Sequence, residues 1–122
     1  MSFFYNQAFI TIATAKNEDL VDFYRQLFNL QPNPYIPEIY AEFQLKGLRL
    51  GIFQVSPSNY SEFANSLHST MSICLEVLDL EKAIARLNSL GYPPPGEIIT
   101  ASHGREIYAY DPMGNRLILH QS

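Results

Sequence analysis

The side chains that could ligate a metal or act as a nucleophile are few in this chain and lie far apart in sequence. The histidines are His68, His103 and His120, and the single cysteine is Cys74. Imidazole and thiolate are the usual ligands of zinc, but three histidines at these separations do not by themselves make a metal site. No base that would activate Cys74 is identifiable, so we expect this residue to be small, buried and not catalytic.

The other groups that could take part in binding or catalysis are a carboxylate, two arginines and many aromatic rings. Glu76 could act as a general base, although an arginine partner would explain it as well. Arg49 and Arg116 could hold a ligand, or they could pair with Glu42 and Glu76. The eight Tyr and eight Phe residues offer ring surface to a ligand, a core or an interface. Their function therefore depends on the elements that position them.

Local patterns predict strands, helices and two hairpins. Residues 8–14 and 71–77 are β-branched and apolar, which is typical of strands. A helix is expected after Asn17 as the N-cap, and a second after Asp79, ending at Gly91. Hairpins are expected over residues 40–54, about Lys46-Gly47, and over residues 106–120, where Asp111-Pro112 begins a turn that Gly114 closes with a positive φ.

The two hairpins repeat each other in sequence. The word EIYA at residues 38–41 recurs at residues 106–109, an offset of 68, and the pattern G-x-R-L at residues 47–50 recurs at residues 114–117, an offset of 67. Two matches in the same order at nearly one offset indicate an internal duplication. We predict a single domain over residues 1–122, with βαβββ halves of about 1–58 and 68–122 joined by a polar connection.

Alternation along the strands separates two faces. The face that the helices should cover is apolar and includes Leu50, Ile52, Leu75, Leu117 and Leu119. The opposite face is aromatic and polar, a composition found in ligand pockets. The candidate ligand-binding residues are Phe9, Tyr40, Arg49, Phe53, Glu76, Tyr108, Tyr110, Arg116 and Ile118, with His103 from the loop before the seventh strand. Plain packing of these aromatic residues remains the alternative, and His68 and His120 are expected to be exposed.

Composition excludes several classes of function. The chain has 122 residues, 47% of them hydrophobic and 16% charged, which is ordinary for a globular domain. Its net charge of -4 argues against broad nucleic-acid binding, and no apolar run is long enough to span a membrane. One cysteine excludes an internal disulfide and fits a reducing compartment, so we expect a cytoplasmic protein.

The chain resembles the vicinal oxygen chelate superfamily, which includes glyoxalase I, extradiol dioxygenases and bleomycin-resistance proteins. The resemblance rests on D-F-Y at residues 22–24 with Leu27 in the first helix, the βαβββ repeat, and D-P-M-G-N at residues 111–115 before the last strand. It implies an α+β fold in which the tandem βαβββ repeats form a curled, mixed β-sheet cup with helices on the outer face. It also implies a homodimer and, at His103, a loop that covers the ligand.

Metal-dependent members of that superfamily carry His, Gln or Glu at four strand positions. Carried over by motif spacing, these positions are Phe9, Gly51, Ser72 and Ile118, none of which is a usual ligand. We therefore predict no metal, no other cofactor and no catalytic residue.

The leading hypothesis is a metal-independent protein that binds an aromatic or cationic small molecule, as in the bleomycin-resistance branch. One alternative is a glyoxalase-like lyase, isomerase or dioxygenase with displaced ligands from His103, Glu106 or His120. Another is an interaction module whose cup is packed.

Overall fold

The computed structural model describes residue 4, residues 7–64 and residues 69–122. Strands, α-helices and one short 3-10 helix alternate along these residues. Their bounds are β1 Ile10–Thr14, α1 Asn17–Phe28, β2 Tyr35–Ile36, β3 Tyr40–Leu45, β4 Leu48–Gln54, the 3-10 helix Pro57–Phe63, β5 Ile73–Glu76, α2 Leu80–Leu90, β6 Ile99–Ala101, β7 Gly104–Tyr110 and β8 Arg116–Gln121. None of the helices in the described part of the chain has the length and apolar character that a membrane span needs.

The chain divides into two compact units with the same internal order. The first unit comprises Met1–Arg25 and Asn29–Phe63, and the second comprises Gln26–Phe28 and Ala64–Ser122. The sheet of the first unit has the strand order β1-β4-β3-β2, and that of the second has the order β5-β8-β7-β6. The first strand of each unit runs parallel to the last, and the remaining pairs are antiparallel. The predicted α+β class with tandem βαβββ repeats is confirmed.

The apolar face of each sheet is buried, as the alternation predicts. In the first unit Leu50 and Ile52 are completely buried, and the ring of Tyr24 on α1 lies 6.4 Å from that of Phe43 on β3. In the second unit Leu117 and Leu119 have exposed fractions of 0% and 2%. Their burial confirms the predicted register, since a slip of one residue would have turned Arg116 and Ile118 toward this side. Leu75 is a partial exception because it is only half-buried.

A glutamine from the last strand of each unit holds the start of that unit's helix. The backbone N–H of Asn17 donates to Gln54 Oε1 at 3.2 Å, and that of Leu80 donates to Gln121 Oε1 at 2.7 Å. These long-range bonds satisfy donors that a helix leaves unpaired in its first turn. The prediction that Asn17 is the N-cap is wrong, because the helix begins one residue earlier than expected and Lys16 occupies the cap position. Asp79 does cap α2, accepting from the N–H of Lys82 at 3.0 Å.

The turn of the second hairpin is organised by a buried aspartate. Asp111 Oδ1 accepts hydrogen bonds from the backbone N–H groups of Met113 and Asn115, each at 2.9 Å. Gly114 has a φ of +83°, and Gly47 in the first hairpin has the same value. The predicted left-handed conformation of Gly114 is confirmed, and its duplication at Gly47 shows that both hairpins depend on a residue without a Cβ.

We call the sheet face opposite the buried one the open face of each unit. It carries the polar and aromatic side chains that the alternation predicted. Cys74 belongs to this face and is exposed, so the prediction that it is buried is wrong. Cys74 lies between Ile73 and Leu75, which belong to the apolar face. Because adjacent residues of a strand point to opposite sides, Cys74 lies on the open face.

Candidate functional site

A hydrogen-bonded carboxylate lies at the centre of the open face of the first unit. Tyr40 Oη donates to Glu42 Oε1 at 2.8 Å, and Gln44 Nε2 donates to Glu42 Oε2 at 2.7 Å. Arg49 Nε lies 3.7 Å from Glu42 Oε1, so the charge of this carboxylate is balanced as well. The hydrogen bond from Tyr40 lowers the pKa of Glu42 below its ordinary value, and burial together with the same bond raises the pKa of Tyr40.

The ring of Tyr40 covers Gly51 of the neighbouring strand. A Cβ atom built on Gly51 would lie 2.6 Å from Tyr40 Oη and 3.2 Å from Cγ2 of Thr11. Such distances are well inside van der Waals contact, so a larger side chain at position 51 would have to displace the tyrosine. The close approach of Tyr40 therefore requires glycine at this position.

An arginine and three phenylalanine rings complete this face. The guanidinium carbon of Arg49 lies 4.3 Å from the ring centre of Phe9, a cation–π distance. Phe53 meets Phe63 of the 3-10 helix edge to face, with ring centres 5.3 Å apart. Phe9 and Phe63 remain 45% and 47% exposed, so their rings have surface available for contact with another molecule.

The open face of the second unit is arranged differently at the corresponding place. Arg116 Nη1 donates to the Ser69 carbonyl at 2.9 Å and to Ser72 Oγ at 3.1 Å. Arg116 thus uses a loop and a serine, whereas the alternative we considered had it pair with a carboxylate. Ile118 lies on β8 opposite Cys74 on one side and Tyr108 on the other. Tyr108 is 40% exposed and Tyr110 is half-buried.

Histidines and glutamates gather at the far end of the same face, in a group that we call the His–Glu cluster: His103, Glu106, His120 and Glu76. His120 Nδ1 lies 2.5 and 2.8 Å from the two carboxylate oxygens of Glu76. His103 Nε2 lies 3.4 Å from Glu106 Oε1, and the rings of His103 and His120 stack with centres 5.3 Å apart. One ligand atom from each of His103, Glu106 and His120 lies within 4.8 Å of the others.

Two members of the cluster, Glu76 and His120, shift each other's pKa. The hydrogen bond between them lowers the pKa of Glu76 and raises the pKa of His120. The side chain of His120 is 21% exposed. The expectation that His120 is an exposed surface residue is therefore wrong, because the strand on which it lies is flanked by β5 and β7. His68 lies outside the described residues.

The candidate residues thus fall into two groups, one on each unit. Phe9, Tyr40, Arg49 and Phe53 belong to the open face of the first unit, and Glu76, His103, Tyr108, Tyr110, Arg116 and Ile118 belong to the second. Alternation identified the strand residues. It placed Glu42 on the open face of the first unit and His120 on that of the second, without showing their partners. The pairing of Glu76 with His120 was missed because the two residues are 44 positions apart in sequence.

The four positions at which metal-dependent members carry ligands do not fit a metal in this chain. Phe9 packs on Arg49, Gly51 lies under Tyr40, and Ser72 accepts a hydrogen bond from Arg116. Ile118, the fourth, has an apolar side chain. Proteins hold divalent transition metals mainly with carboxylate, imidazole or thiolate ligands, and none of these four side chains is one of them.

Comparison with known proteins places this geometry in a family. The model of the Glyoxalase/Bleomycin resistance protein/Dioxygenase superfamily matches residues 6–119. No curated protein matches significantly.

Many solved structures are similar in fold, at low sequence identity. A glyoxalase-related enzyme from Fulvimarina pelagi has a TM-score of 0.76 and 19% identity, over 97% of this chain and 89% of its own. The fosfomycin resistance protein FosX from Listeria monocytogenes, solved with Mn(II) and sulfate, has a TM-score of 0.74 and 19% identity, over 98% and 92%. Lactoylglutathione lyase from Agrobacterium tumefaciens has a TM-score of 0.70 and 16% identity, over 97% and 95%.

Proposed function

Because the chain belongs to the Glyoxalase/Bleomycin resistance protein/Dioxygenase superfamily, we propose that it is a small-molecule-binding protein that does not use the metal position of metal-dependent members. The observation that carries this proposal is the ring of Tyr40 over Gly51. Where a metal-dependent member would present a ligand, this chain presents a phenol held by Glu42. We place the chain in the bleomycin-resistance branch as part of this proposal, because the metal-ligand positions carry none of the usual ligands.

The chemistry of the first open face favours an aromatic ligand. Glu42 already accepts two hydrogen bonds and faces Arg49, so it offers little to a cation. The half-exposed rings of Phe9 and Phe63 and the guanidinium of Arg49 offer stacking and cation–π contact. Of the aromatic and cationic ligands expected from sequence, a planar aromatic molecule without a positive charge is therefore favoured.

The proposal is tested by calorimetry and thermal shift against aromatic molecules that differ in charge, with and without a chelator. Binding should survive the chelator and weaken at least several-fold in Phe9→Ala for the first face and in Tyr108→Ala for the second. Tyr35→Ala is the matched aromatic control, because Tyr35 is 37% exposed and its ring faces Arg25 of α1. Binding that requires an added divalent metal would overturn the proposal. Binding that neither Phe9→Ala nor Tyr108→Ala weakens would also overturn it.

We also propose that the protein is a homodimer and that it is located in the cytoplasm. The family resemblance supports the dimer, and the single cysteine supports a reducing compartment. Light scattering on the purified protein measures the mass directly, against 13.9 kDa for one chain. A mass of one chain at micromolar concentration would contradict the dimer.

The second candidate function is a metal-dependent lyase, isomerase or dioxygenase with displaced ligands. The observation that favours it is the approach of ligand atoms from His103, Glu106 and His120 to within 4.8 Å of one another. Metal-stimulated turnover that disappears in His103→Ala would support this candidate over simple binding.

A further inference from the structure

The His–Glu cluster lies where the second hairpin meets the strand beside it. Glu106 on β7 lies directly opposite His120 on β8, and Glu76 on β5 lies opposite His120 on the other side. His103 comes from the turn that precedes β7. Residues from β5, from β7 and from the turn before β7 thus surround the imidazole of His120.

Glu76 determines which nitrogen of His120 is available. Both carboxylate oxygens of Glu76 are within hydrogen-bond distance of Nδ1, so Nδ1 is the nitrogen that donates. A histidine that donates from Nδ1 to a carboxylate can offer Nε2 as a metal ligand, and such carboxylate–histidine pairs orient the ligands of many zinc sites. Ser122 Oγ also donates to Glu76, at 3.1 Å, and helps to hold the carboxylate.

Nε2 of His120 is the unexplained atom of this arrangement. It is buried and makes no well-aligned hydrogen bond among the described residues, although the backbone of His103 lies close to this imidazole. A buried polar atom without a well-aligned partner is costly, so a bound cation at Nε2 would stabilise it. Gly104 lies beside it: a Cβ there would come within 3.0 Å of Nε2 and closer still to the Gln121 carbonyl oxygen, so glycine preserves the space around the nitrogen.

We propose that His103, Glu106 and His120 bind one divalent transition-metal cation, with Glu76 as the positioning residue of His120. Two imidazoles and a carboxylate suit zinc and its first-row neighbours, and imidazole disfavours magnesium and calcium. Remaining coordination positions would be taken by water or an external ligand. The proposal is independent of small-molecule binding on either open face.

Closing such a site requires the His103 ring to leave its stack on His120, because the in-plane lone pairs of two parallel rings cannot meet at one ion. Ligand atoms about 2.1 Å from a tetrahedral zinc are roughly 3.4 Å apart, compared with separations up to 4.8 Å here. His103 can supply the movement because its side chain is 64% exposed and lies in a turn. Glu106 and His120 are held by the strand register and need not move far.

The first unit provides a natural control because it lacks these ligands. By strand register, Phe53 corresponds to His120, and Tyr40, which lies opposite Phe53, corresponds to Glu106. The first unit contains no histidine, so it offers no comparable set. The site is therefore a property of the second unit alone.

The test uses the full chain, freed of metal by a chelator and then titrated with metal alone. Co²⁺ is followed by its visible absorption, and Zn²⁺ by calorimetry and by displacement of Co²⁺. One cation should bind per chain with a dissociation constant in the micromolar range or tighter. Mg²⁺ at the same concentrations should not compete.

Five variants, two of them controls, locate the site. His103→Ala and Glu106→Gln should each weaken Zn²⁺ binding at least tenfold, and Glu76→Gln should weaken it about tenfold to a hundredfold through the orientation of His120. His68→Ala and Glu38→Gln should bind as the wild type does. Because His103 is exposed, its variant should fold normally, and circular dichroism checks this directly.

The proposal is overturned if Co²⁺ and Zn²⁺ show no saturable binding at one per chain. It is equally overturned if folded His103→Ala and Glu106→Gln bind as tightly as the wild type, or if His68→Ala alone abolishes binding. None of these measurements uses an organic ligand, so the metal site and the proposed binding function can fail separately.

Discussion

The two units share one strand order and one buried face, yet their open faces use different chemistry. Leu50 and Leu117 occupy equivalent buried positions, and Gln54 and Gln121 hold equivalent helix starts. On the open faces, the first unit covers Gly51 with a tyrosine, where the second has Ile118.

The carboxylates of the two open faces also have different hydrogen-bond partners. In the first unit Glu42 is bound by a tyrosine and a glutamine, whereas in the second Glu76 is bound by His120. Buried residues must keep their volume because a close-packed core tolerates few changes, whereas an open face can change without loss of the fold. The duplication therefore preserved packing and left the chemistry free to diverge.

The strongest test of the shared packing is a pair of equivalent core truncations. Leu50→Ala and Leu117→Ala should each lower the free energy of unfolding by about 2–5 kcal/mol, since both side chains are completely buried. Urea denaturation measures the change, with Leu78→Ala as the control because Leu78 is fully exposed. If only one of the two truncations were costly, the buried faces would not be equivalent.

The difference between the open faces can be tested by substitution of Gly51. Gly51→Ala should destabilise the protein by about 1–3 kcal/mol, because the new methyl group would collide with Tyr40 Oη. The cost should fall by more than half when Tyr40→Phe is combined with it, as measured in a double-mutant cycle. In the second unit Ile118→Val should cost only about 0.5 kcal/mol, since this position is already branched and half-buried. Additive costs for Gly51→Ala and Tyr40→Phe would show that the tyrosine does not require the glycine.

The two hairpin turns should respond alike. Gly47→Val and Gly114→Val should each destabilise by about 1 kcal/mol or more, because both glycines have a φ of +83°, which a β-branched residue adopts poorly. No atom lies within 4 Å of a Cβ built at Gly47, so backbone strain is the whole effect there. Thermal unfolding monitors both variants, and an unchanged melting temperature for either would refute its turn assignment.

The smallest expected effect is the acid response of the first unit. The folded-state pKa of Glu42 is lowered by the Tyr40 hydrogen bond, so its stabilisation is complete above the ordinary value of 4.5 and is lost as pH falls through the lowered pKa. The free energy of unfolding at pH 7 and at pH 3 should therefore differ less in Glu42→Gln than in the wild type, by about 1 kcal/mol or less. An identical pH dependence in the two proteins would show that Glu42 contributes nothing to acid sensitivity.

Local patterns in the sequence were sufficient to predict the elements and the two faces. A strand period of two, the cap at Asp79 and the turn glycines Gly91 and Gly114 depend on residues close together in the chain, so they can be read directly. The repeated words at offsets of 67 and 68 then predicted two βαβββ halves. Where a local rule competed with a distant contact, as at Asn17 and Gln54, the prediction was wrong.

Tertiary structure alone decided which open-face residues meet. Arg49 approaches Glu42 while the equivalent Arg116 bonds to Ser69 and Ser72, although the sequence offers both arginines a carboxylate. Likewise, Glu76 and His120 meet because β5 and β8 pair in parallel with these two residues opposite each other. Such partners are set by the register between strands that are distant in sequence, and alternation within one strand contains no information about that register.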